Sequence, residues 1–386
     1  MEYPLSEEHQ MFRETMKRFV DEEMIPVEME TIGEDGELKP EWEEKYHARA
    51  KELGLWKMEV PEEYGGVGAD LMSLVIVWEQ LGRTIAVPTR GLGGIMGPSV
   101  RAPLYELSDE MKQQYLFPVL NGEKSACFGQ TEPDAGGDPG GMRTAAVRNG
   151  DHYVINGTKR FITDADKSDF CQLLAATDRE KGSRGGISMF LVDMDTPGVK
   201  VTAKFDTMMG DSPCEIHFED VRIPVEKRIG EEGQGFALGQ RFLANGRLKH
   251  GARGVGTAQR CLDLMCNYAQ QRVTFGEKLA DRQAVQWMIT DTYVELQAAR
   301  LMVYNTADRA SQGLVDRTDG FVQKMYADEL GFRAADRCMQ VHGGIGLTKD
   351  LPIENFWRQS RSFRITEGPT EIMKMVIARN VLREYD

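Results

Sequence analysis

Thr144-Ala145-Ala146-Val147-Arg148-Asn149-Gly150-Asp151-His152-Tyr153-Val154-Ile155 is the stretch whose reading decides the fold class. Asn-Gly between two apolar-alternating runs is a strong short-range hairpin signal, because both residues tolerate the positive φ of a tight turn. Strands therefore lie on either side of Asn149-Gly150. Working outward, Ile187 to Val192 reads as a compact apolar strand. Cys214, Ile216 and Phe218 alternate with Glu215, His217 and Glu219, as in a half-buried strand. Residues 123 to 225 are thus β-like. Before them, after the N-cap Ser6, Phe12, Met16, Phe19 and Val20 recur at helical spacing. Leu71 to Leu81 and Asp109 to Pro118 also read as helices. Glycine-rich breaks at Pro61–Gly68 and at Gly91-Leu92-Gly93-Gly94 flank the first of these. Beyond Gly230, Gly233 and Gly235 four long periodic stretches follow: Val255 to Gln271, Gln283 to Ala310, Asp316 to Val341 and Thr370 to Leu382. Helices, then strands, then helices is a mainly α chain with one β-domain, not the alternation of a parallel α/β sheet. The expected segments are 1–122, 123–233 and 234–386.

The 386 residues are ample for a large core, and 41% apolar with 28% charged residues excludes disorder. A net charge of −14 disfavours general nucleic-acid binding, so a phosphate-bearing ligand needs local cations or backbone N–H groups. Six cysteines without a C-x-x-C pair fit a reducing, cytoplasmic setting rather than a disulfide scaffold. Six scattered histidines without H-E-x-x-H predict no metal site. No apolar run approaches the ~18 residues of a membrane span. None of the forty glycines completes G-x-G-x-x-G or a Walker loop, and no G-x-S-x-G elbow exists.

Five segments remain, each with an ordinary reading. Phe128-Gly129-Gln130-Thr131-Glu132-Pro133-Asp134-Ala135-Gly136-Gly137-Asp138 is a strand stopped by proline and followed by glycines that admit a close ligand, or a plain loop. In Gly157-Thr158-Lys159-Arg160-Phe161-Ile162-Thr163, the aromatic and the hydroxyl two apart fall on one strand face. That face suits a planar ring, or holds a core Phe beside an exposed Thr. Gln270-Gln271-Arg272-Val273-Thr274-Phe275-Gly276 ends a helix with a cation, an aromatic and a glycine cap. Gln340-Val341-His342-Gly343-Gly344-Ile345-Gly346 ends another. In Arg364-Ile365-Thr366-Glu367-Gly368-Pro369-Thr370-Glu371-Ile372, a Gly-Pro turn precedes a helix, with Pro369 at its first position. Glu367 is displayed in that turn, as an exposed group or as a carboxylate serving the helix dipole.

The five segments in this order resemble the acyl-CoA dehydrogenase family of flavoproteins over essentially the whole chain. Pro61–Gly68 and Asn245–Arg260 match the family pattern too. The resemblance implies an N-terminal helical domain, a middle β-barrel-like domain and a C-terminal four-helix bundle. It implies FAD, held between the β-domain and the bundle and partly by a neighbouring subunit, hence a homo-oligomer, a tetramer. Phe128, Gln130 and Thr131 would line the flavin, Phe161 would lie along it, and Thr163 would hydrogen-bond near N5. Arg272 and Phe275 would reach a neighbour's FAD, with Gln283, Gln340, Gly344 and Glu371 completing that site. The implied reaction is α,β-dehydrogenation of an acyl-CoA thioester, with electron-transferring flavoprotein as acceptor. Glu367 stands at the base position, desolvated so that its pKa rises toward working pH. A family branch carries its base on the long helix near Gly246; here Gly246 and Arg247 offer no carboxylate, and Arg247 matches an arginine near the catalytic acid.

The chain departs from the family at several substrate- and cofactor-facing positions. Gly137 replaces a common Ser that contacts the CoA arm. Thr366 replaces the usual Tyr before the base and opens the acyl pocket, beside Gly368. Pro369 removes one FAD contact, and Glu371 stands where Gln is common. The acyl chain is left open. Alternatives within the fold are an enoyl-CoA reductase, an oxidase, a desulfinase or a nitroalkane oxidase; outside it, a non-catalytic helical scaffold.

Overall fold

A computed structural model describes residues 3–33, 37–87, 95–98, 100–314 and 317–385. The expected glycine-rich break at Gly91–Gly94 lies outside the described residues. The chain divides into two compact units, Met1–Met96 with Ala244–Asp386, and Gly97–Leu243. The helices up to Met96 join the C-terminal helices in one core, and residues 97–122 go with the strands.

In the helical unit, Ser6 caps α1 (Glu7–Phe19) by accepting the His9 N–H at 3.1 Å. After a single turn at α2 (Glu28–Thr31) come α3 (Pro40–Glu52) and α4 (Leu71–Leu81). Nine of the eleven α4 residues are buried, so it is a central helix rather than an amphipathic surface one. In the other unit the helix expected over 109–118 runs as α5 (Asp109–Met111), a wide π turn and α6 (Phe117–Leu120).

The β-strands are β1 (Ala126–Gly129), β2 (Ala145–Asn149), β3 (His152–Ile162), β4 (Phe170–Ala176), β5 (Ile187–Asp193), β6 (Val199–Lys204), β7 (Cys214–Pro224) and β8 (Arg228–Ile229). They form one sheet in the order β6-β7-β3-β2-β4-β5-β8, with β1 alongside β4. The path ends on β6 and β8, so this barrel-like domain is not closed by strand pairing. The β2–β3 hairpin is present, but Asn149 pairs with His152, so its two-residue loop is Gly150-Asp151. Only Gly150 has positive φ, at 65°, the pattern of a II′ rather than an I′ turn. The alternation of Cys214, Ile216 and Phe218 shifts phase after Asp220, whose φ of 50° marks a bulge, and resumes at Val221 and Ile223.

The long helices are α7 (Gly235–Gln271), α8 (Gln283–Ser311) and α9 (Arg317–His342), followed by α10 (Ile353–Phe363) and α11 (Thr370–Leu382). Sequence periodicity finds only the second half of α7, from Val255, because Gly235, Gly239, Gly246, Gly251 and Gly254 each lower helix propensity by about 1 kcal/mol. The glycines have a packing reason. A Cβ on Gly254 would stand 2.5 Å from the Ala327 carbonyl oxygen, and one on Gly256 2.0 Å from that of Glu79. Backbones of α9 and α4 thus press directly on α7. Buried ion pairs tie the N- and C-terminal helices further: Arg260 with Glu28 at 3.0 Å and Arg300 with Glu79 at 2.9 Å. The short α10 is an addition to the four expected stretches. Thr370, not Pro369, opens α11.

Candidate active site

Glu367 stands in the turn between α10 and α11, with φ at 53°, followed by Gly368 at 109°. A non-glycine residue rarely adopts that left-handed region, so the turn is held by its surroundings. The support is Lys324 of α9, fully buried, whose Nζ donates to the carbonyl oxygens of Phe363 at 3.1 Å, Thr366 at 3.0 Å and Gly368 at 3.4 Å. One ammonium thereby fastens both sides of the turn, and its charge is matched by buried Asp328 at 2.8 Å, one helical turn along.

The carboxylate faces α7. A Cβ on Gly246 would lie 2.3 Å from Glu367 Oε2, so the absence of a side chain there makes room for the acid. The two alternative base positions of the sequence reading are thus one place in space. His250, one turn beyond Gly246, puts Nε2 3.6 Å from Glu367 Oε1 and Nδ1 3.8 Å from Asp328 Oδ1. Arg247 is buried with its guanidinium 4.4 Å from the Phe321 ring centre. A third of the Glu367 side chain is accessible, yet Oε2 is buried and accepts no hydrogen bond among the described residues. Burial pushes the carboxyl up, but His250, with Lys324 and Lys249 behind it, pulls it down to about 2. This corrects the expectation of a raised base: in the ligand-free chain Glu367 is a carboxylate. Thr366 and Gly368 flank it as expected, both half-buried.

In the β unit, Phe128 lies on β1, and Gln130 and Thr131 follow in the loop. Lys159 on β3 holds that loop from beneath. Its fully buried Nζ donates to the Gln130 carbonyl at 3.1 Å and to Glu132 Oε1 at 2.7 Å. Glu132 in turn accepts the N–H of Arg143 at 2.6 Å and of Thr144 at 2.9 Å. Burial draws the Lys159 ammonium down to about 8, against the pull of Glu132. Gly137 is exposed further along the loop. Phe161 and Thr163 do not share a strand face. β3 loses its register between Lys159 and Ile162, Phe161 has φ at 59°, and Thr163 already lies in the following turn. The Phe161 ring is 54% exposed and rests on Phe205, centroids 5.0 Å apart.

Arg272 follows the last residue of α7, but Gly276 caps no helix. Val273–Thr274 (β9) and Glu277–Lys278 (β10) form a small hairpin whose loop is Phe275-Gly276, at φ 50° and 80°. Positive φ at both positions is the I′ turn, and it leaves Phe275 wholly exposed. Gln283 begins α8, exposed. Gln340 and Gly344 lie at the far end of α9, and the Tyr268 ring stacks on His342 at 4.3 Å. The end of α7 that carries Arg272 and the end of α9 that carries Gly344 are therefore neighbours. Glu371 is exposed in the first turn of α11.

Among the described residues six non-glycines have positive φ: Lys57, Phe161, Asp164, Asp220, Phe275 and Glu367. Aspartate tolerates that conformation. Three of the other four are residues singled out from sequence for ligand contact or catalysis. Such strain, about 1–3 kcal/mol each, concentrates at functional sites.

Sequence reading missed Lys324, Asp328 and His250. Their signal was available in part: Gly246 and His250 are four apart, as are Lys324 and Asp328, each pair on one helix face. The partnership across α7, α9 and the turn is tertiary.

Sequence models of the acyl-CoA dehydrogenase N-terminal, middle and C-terminal domains match residues 6–123, 127–221 and 233–382. The chain is 35% identical to a subunit of the caffeyl-CoA reductase–Etf complex of Acetobacterium woodii, covering 98% of this chain and 99% of that one. It is 34% identical to a short-chain-specific acyl-CoA dehydrogenase of Clostridium acetobutylicum, over 99% and 100%. The structure of butyryl-CoA dehydrogenase from Megasphaera elsdenii superposes with a TM-score of 0.84 at 29% identity, covering 99% of this chain and all of that one. Strain, buried support and a matched sequence thus converge, and this chain belongs to the acyl-CoA dehydrogenase family of oxidoreductases.

Proposed function

We propose that this protein binds FAD and dehydrogenates an acyl-CoA thioester to the trans-2-enoyl-CoA, with Glu367 removing the α-proton. The residues of the β unit fit a flavin. Gln130 Oε1 is buried without a hydrogen-bond partner among the described residues, and the Phe161 ring presents a half-exposed face. When bound, FAD supplies acceptance of the β-hydrogen as hydride. Phe128, Gln130 and Thr131 line it, Phe161 lies along it and Thr163 donates to it. Lys159 and Glu132 keep that loop fixed so that little ordering remains at binding.

The observation that carries the reading is Glu367 itself: a strained, ionised carboxylate held by Lys324 and facing the gap that Gly246 leaves. A base must arrive unprotonated, and this one does. Substrate binding displaces water from it and raises its proton affinity toward that of the activated α-carbon. The Glu367 backbone N–H donates to the thioester oxygen, where enolate charge develops. Arg247, Thr366 and Gly368 border the acyl group, and Gly137 passes the CoA arm. The opposite direction is represented among the relatives by the caffeyl-CoA reductase subunit and by a 3-(aryl)acrylate reductase of Clostridium sporogenes.

Arg272, Phe275 and Gln283, with Gln340, Gly344 and Glu371, serve the FAD of a neighbouring copy, so the working species is a homo-oligomer, a tetramer. The name of the Acetobacterium relative supports an electron-transferring flavoprotein as the redox partner. The test is Glu367→Gln in the FAD-loaded protein. Flavin bleaching by acyl-CoA under anaerobic single-turnover conditions falls about 10²–10⁴-fold, the usual contribution of a placed general base. Near-wild-type bleaching removes Glu367 from the role. Enoyl-CoA reduction without acyl-CoA oxidation reverses the direction.

A further inference from the structure

We propose that His250 is a positioning residue for Glu367: standing between the Glu367 and Asp328 carboxylates, its imidazolium keeps the base ionised and aimed at the space beside Gly246. The inference rests on the reading of Glu367 as the base and adds a group that does not touch the reacting atoms.

The geometry is a three-member row. His250 Nε2 is 3.6 Å from Glu367 Oε1 and Nδ1 is 3.8 Å from Asp328 Oδ1, separations of an ion pair rather than of a hydrogen bond. The ring is buried at 8% exposure and meets the Phe363 ring edge-on, centroids 4.8 Å apart at 78°. It cannot rotate away from either carboxylate without leaving that aromatic wall. Every charged group around it is identifiable. From the turn comes Glu367, and from α9 come Asp328 and its partner Lys324. From α7 itself come Lys249, paired with Glu59 at 3.0 Å, and buried Arg253, whose guanidinium lies 4.9 Å from the Phe363 ring centre. From α10 comes Phe363, which carries no charge.

Two carboxylates facing one buried imidazole favour its charged form. Burial alone pulls His250 down, but Glu367 and Asp328 outweigh it and raise the imidazole above its ordinary 6.5. The effect is mutual. A neutral ring at 250 leaves Glu367 with burial pushing it up and only the more distant lysines pulling it down. The carboxyl then protonates at higher pH, and a protonated Glu367 accepts nothing. When Glu367 takes the α-proton, its own charge disappears and His250 remains paired through Asp328, so the turn keeps a satisfied partner through the step.

The experiment uses the FAD-loaded protein labelled with ring-13C histidine. The His250 resonance is the one absent from His250→Gln. In wild type it titrates above 6.5, and in Glu367→Gln its midpoint falls by at least one pH unit. In parallel, flavin bleaching by saturating butyryl-CoA is followed from pH 5 to 9, so that the acid limb reports Glu367 in the substrate-bound protein, where displaced water has raised its proton affinity. Whatever its absolute rate, His250→Gln shows an acid limb at least one pH unit above that of wild type. A His250 midpoint at or below 6.5, or one unmoved by Glu367→Gln, overturns the proposal, as does an unmoved acid limb. Where His250→Gln does not fold, the shift between wild type and Glu367→Gln decides alone. If the midpoint moves while Glu367→Gln still bleaches normally, the base assignment fails and the electrostatic coupling stands. If bleaching is lost while the midpoint stays, the base stands and His250 has no part in it.

Discussion

Glu367 and Phe275 adopt nearly the same backbone conformation, φ 53° and 50°, in opposite surroundings. Beneath Glu367 lie three hydrogen bonds donated by the Lys324 ammonium to backbone carbonyls, a buried ion pair and a histidine. Phe275 is wholly exposed, on a hairpin of two residues per strand. Strain at the first is compensated within the chain. Strain at the second is met only at the base of the hairpin, where Arg282 donates to the Thr274 carbonyl at 2.7 Å and pairs with Glu277 at 2.9 Å, and a two-stranded hairpin adds little stability of its own in water. A bulky aromatic forced into a glycine-type position and left fully exposed makes physical sense when its partner is another molecule. The difference separates what this chain organises alone from what, on the proposed reading, it completes by association.

The deepest cut into the internal side is Lys324→Met. The methionine keeps the length and loses the charge, which leaves buried Asp328 with only the more distant His250 and takes the ammonium donor from three carbonyls. Breaking a buried pair by removing one member costs about 3–5 kcal/mol. The urea midpoint of the variant should drop accordingly, and the Glu367 turn should be the first region to lose protection against amide exchange. An unfolding free energy within about 0.5 kcal/mol of wild type, the usual surface-substitution scale, means that the turn does not depend on the lysine.

Phe275 supplies the external side. Phe275→Gly removes the ring from a position that glycine prefers, so the folding stability of a single chain is unchanged or slightly raised. Association is weakened, because burying one phenylalanine contributes about 1.5–3 kcal/mol. Sedimentation should show the assembly dissociating at roughly 10- to 100-fold higher protein concentration, with FAD retained less well. Phe275→Ala should weaken assembly similarly while keeping the strain. If Phe275→Gly assembles as wild type does, the exposed ring has no partner copy, and a fully flavinated active monomer removes the oligomeric reading altogether.

The same division explains what could be read from sequence. The hairpin at Asn149-Gly150, the strand Ile187–Val192 and the helices α8, α9 and α11 are set by local pattern and turn chemistry, so they are readable within a residue or two. Glu367, Gly246 and Phe275 were readable because they sit at punctuated turns or in a family pattern. The first half of α7 was not, since its glycines answer to Ala327, to Gln323 and to Glu367 itself, all distant in sequence. Nor was the ionisation of the base. Desolvation alone argues for a raised carboxyl; the opposing His250, Lys324 and Lys249 arrive from two other segments of chain. The Phe161–Thr163 pair failed for a local reason, because a positive φ at Phe161 breaks the alternation on which a shared strand face depends.

That pair gives the smallest expected effect and the finest test of the comparison. Phe161 is intermediate between the two extremes: strained at 59°, about half exposed, with Phe205 on one side only. On the proposed reading a flavin covers its open side, and the Thr163 hydroxyl, in the turn that follows, donates to that ring. Thr163→Val deletes the donor and nearly keeps the shape. One hydrogen bond to a bound cofactor is worth about 0.5–1.5 kcal/mol, about a tenfold effect at most. The variant should therefore fold, retain yellow colour, and show a flavin midpoint potential and a bleaching rate displaced within that limit, while its unfolding midpoint stays put. A change in folding stability with an unmoved potential would mean that the hydroxyl serves the turn. A change in potential with unmoved stability means that it serves the flavin.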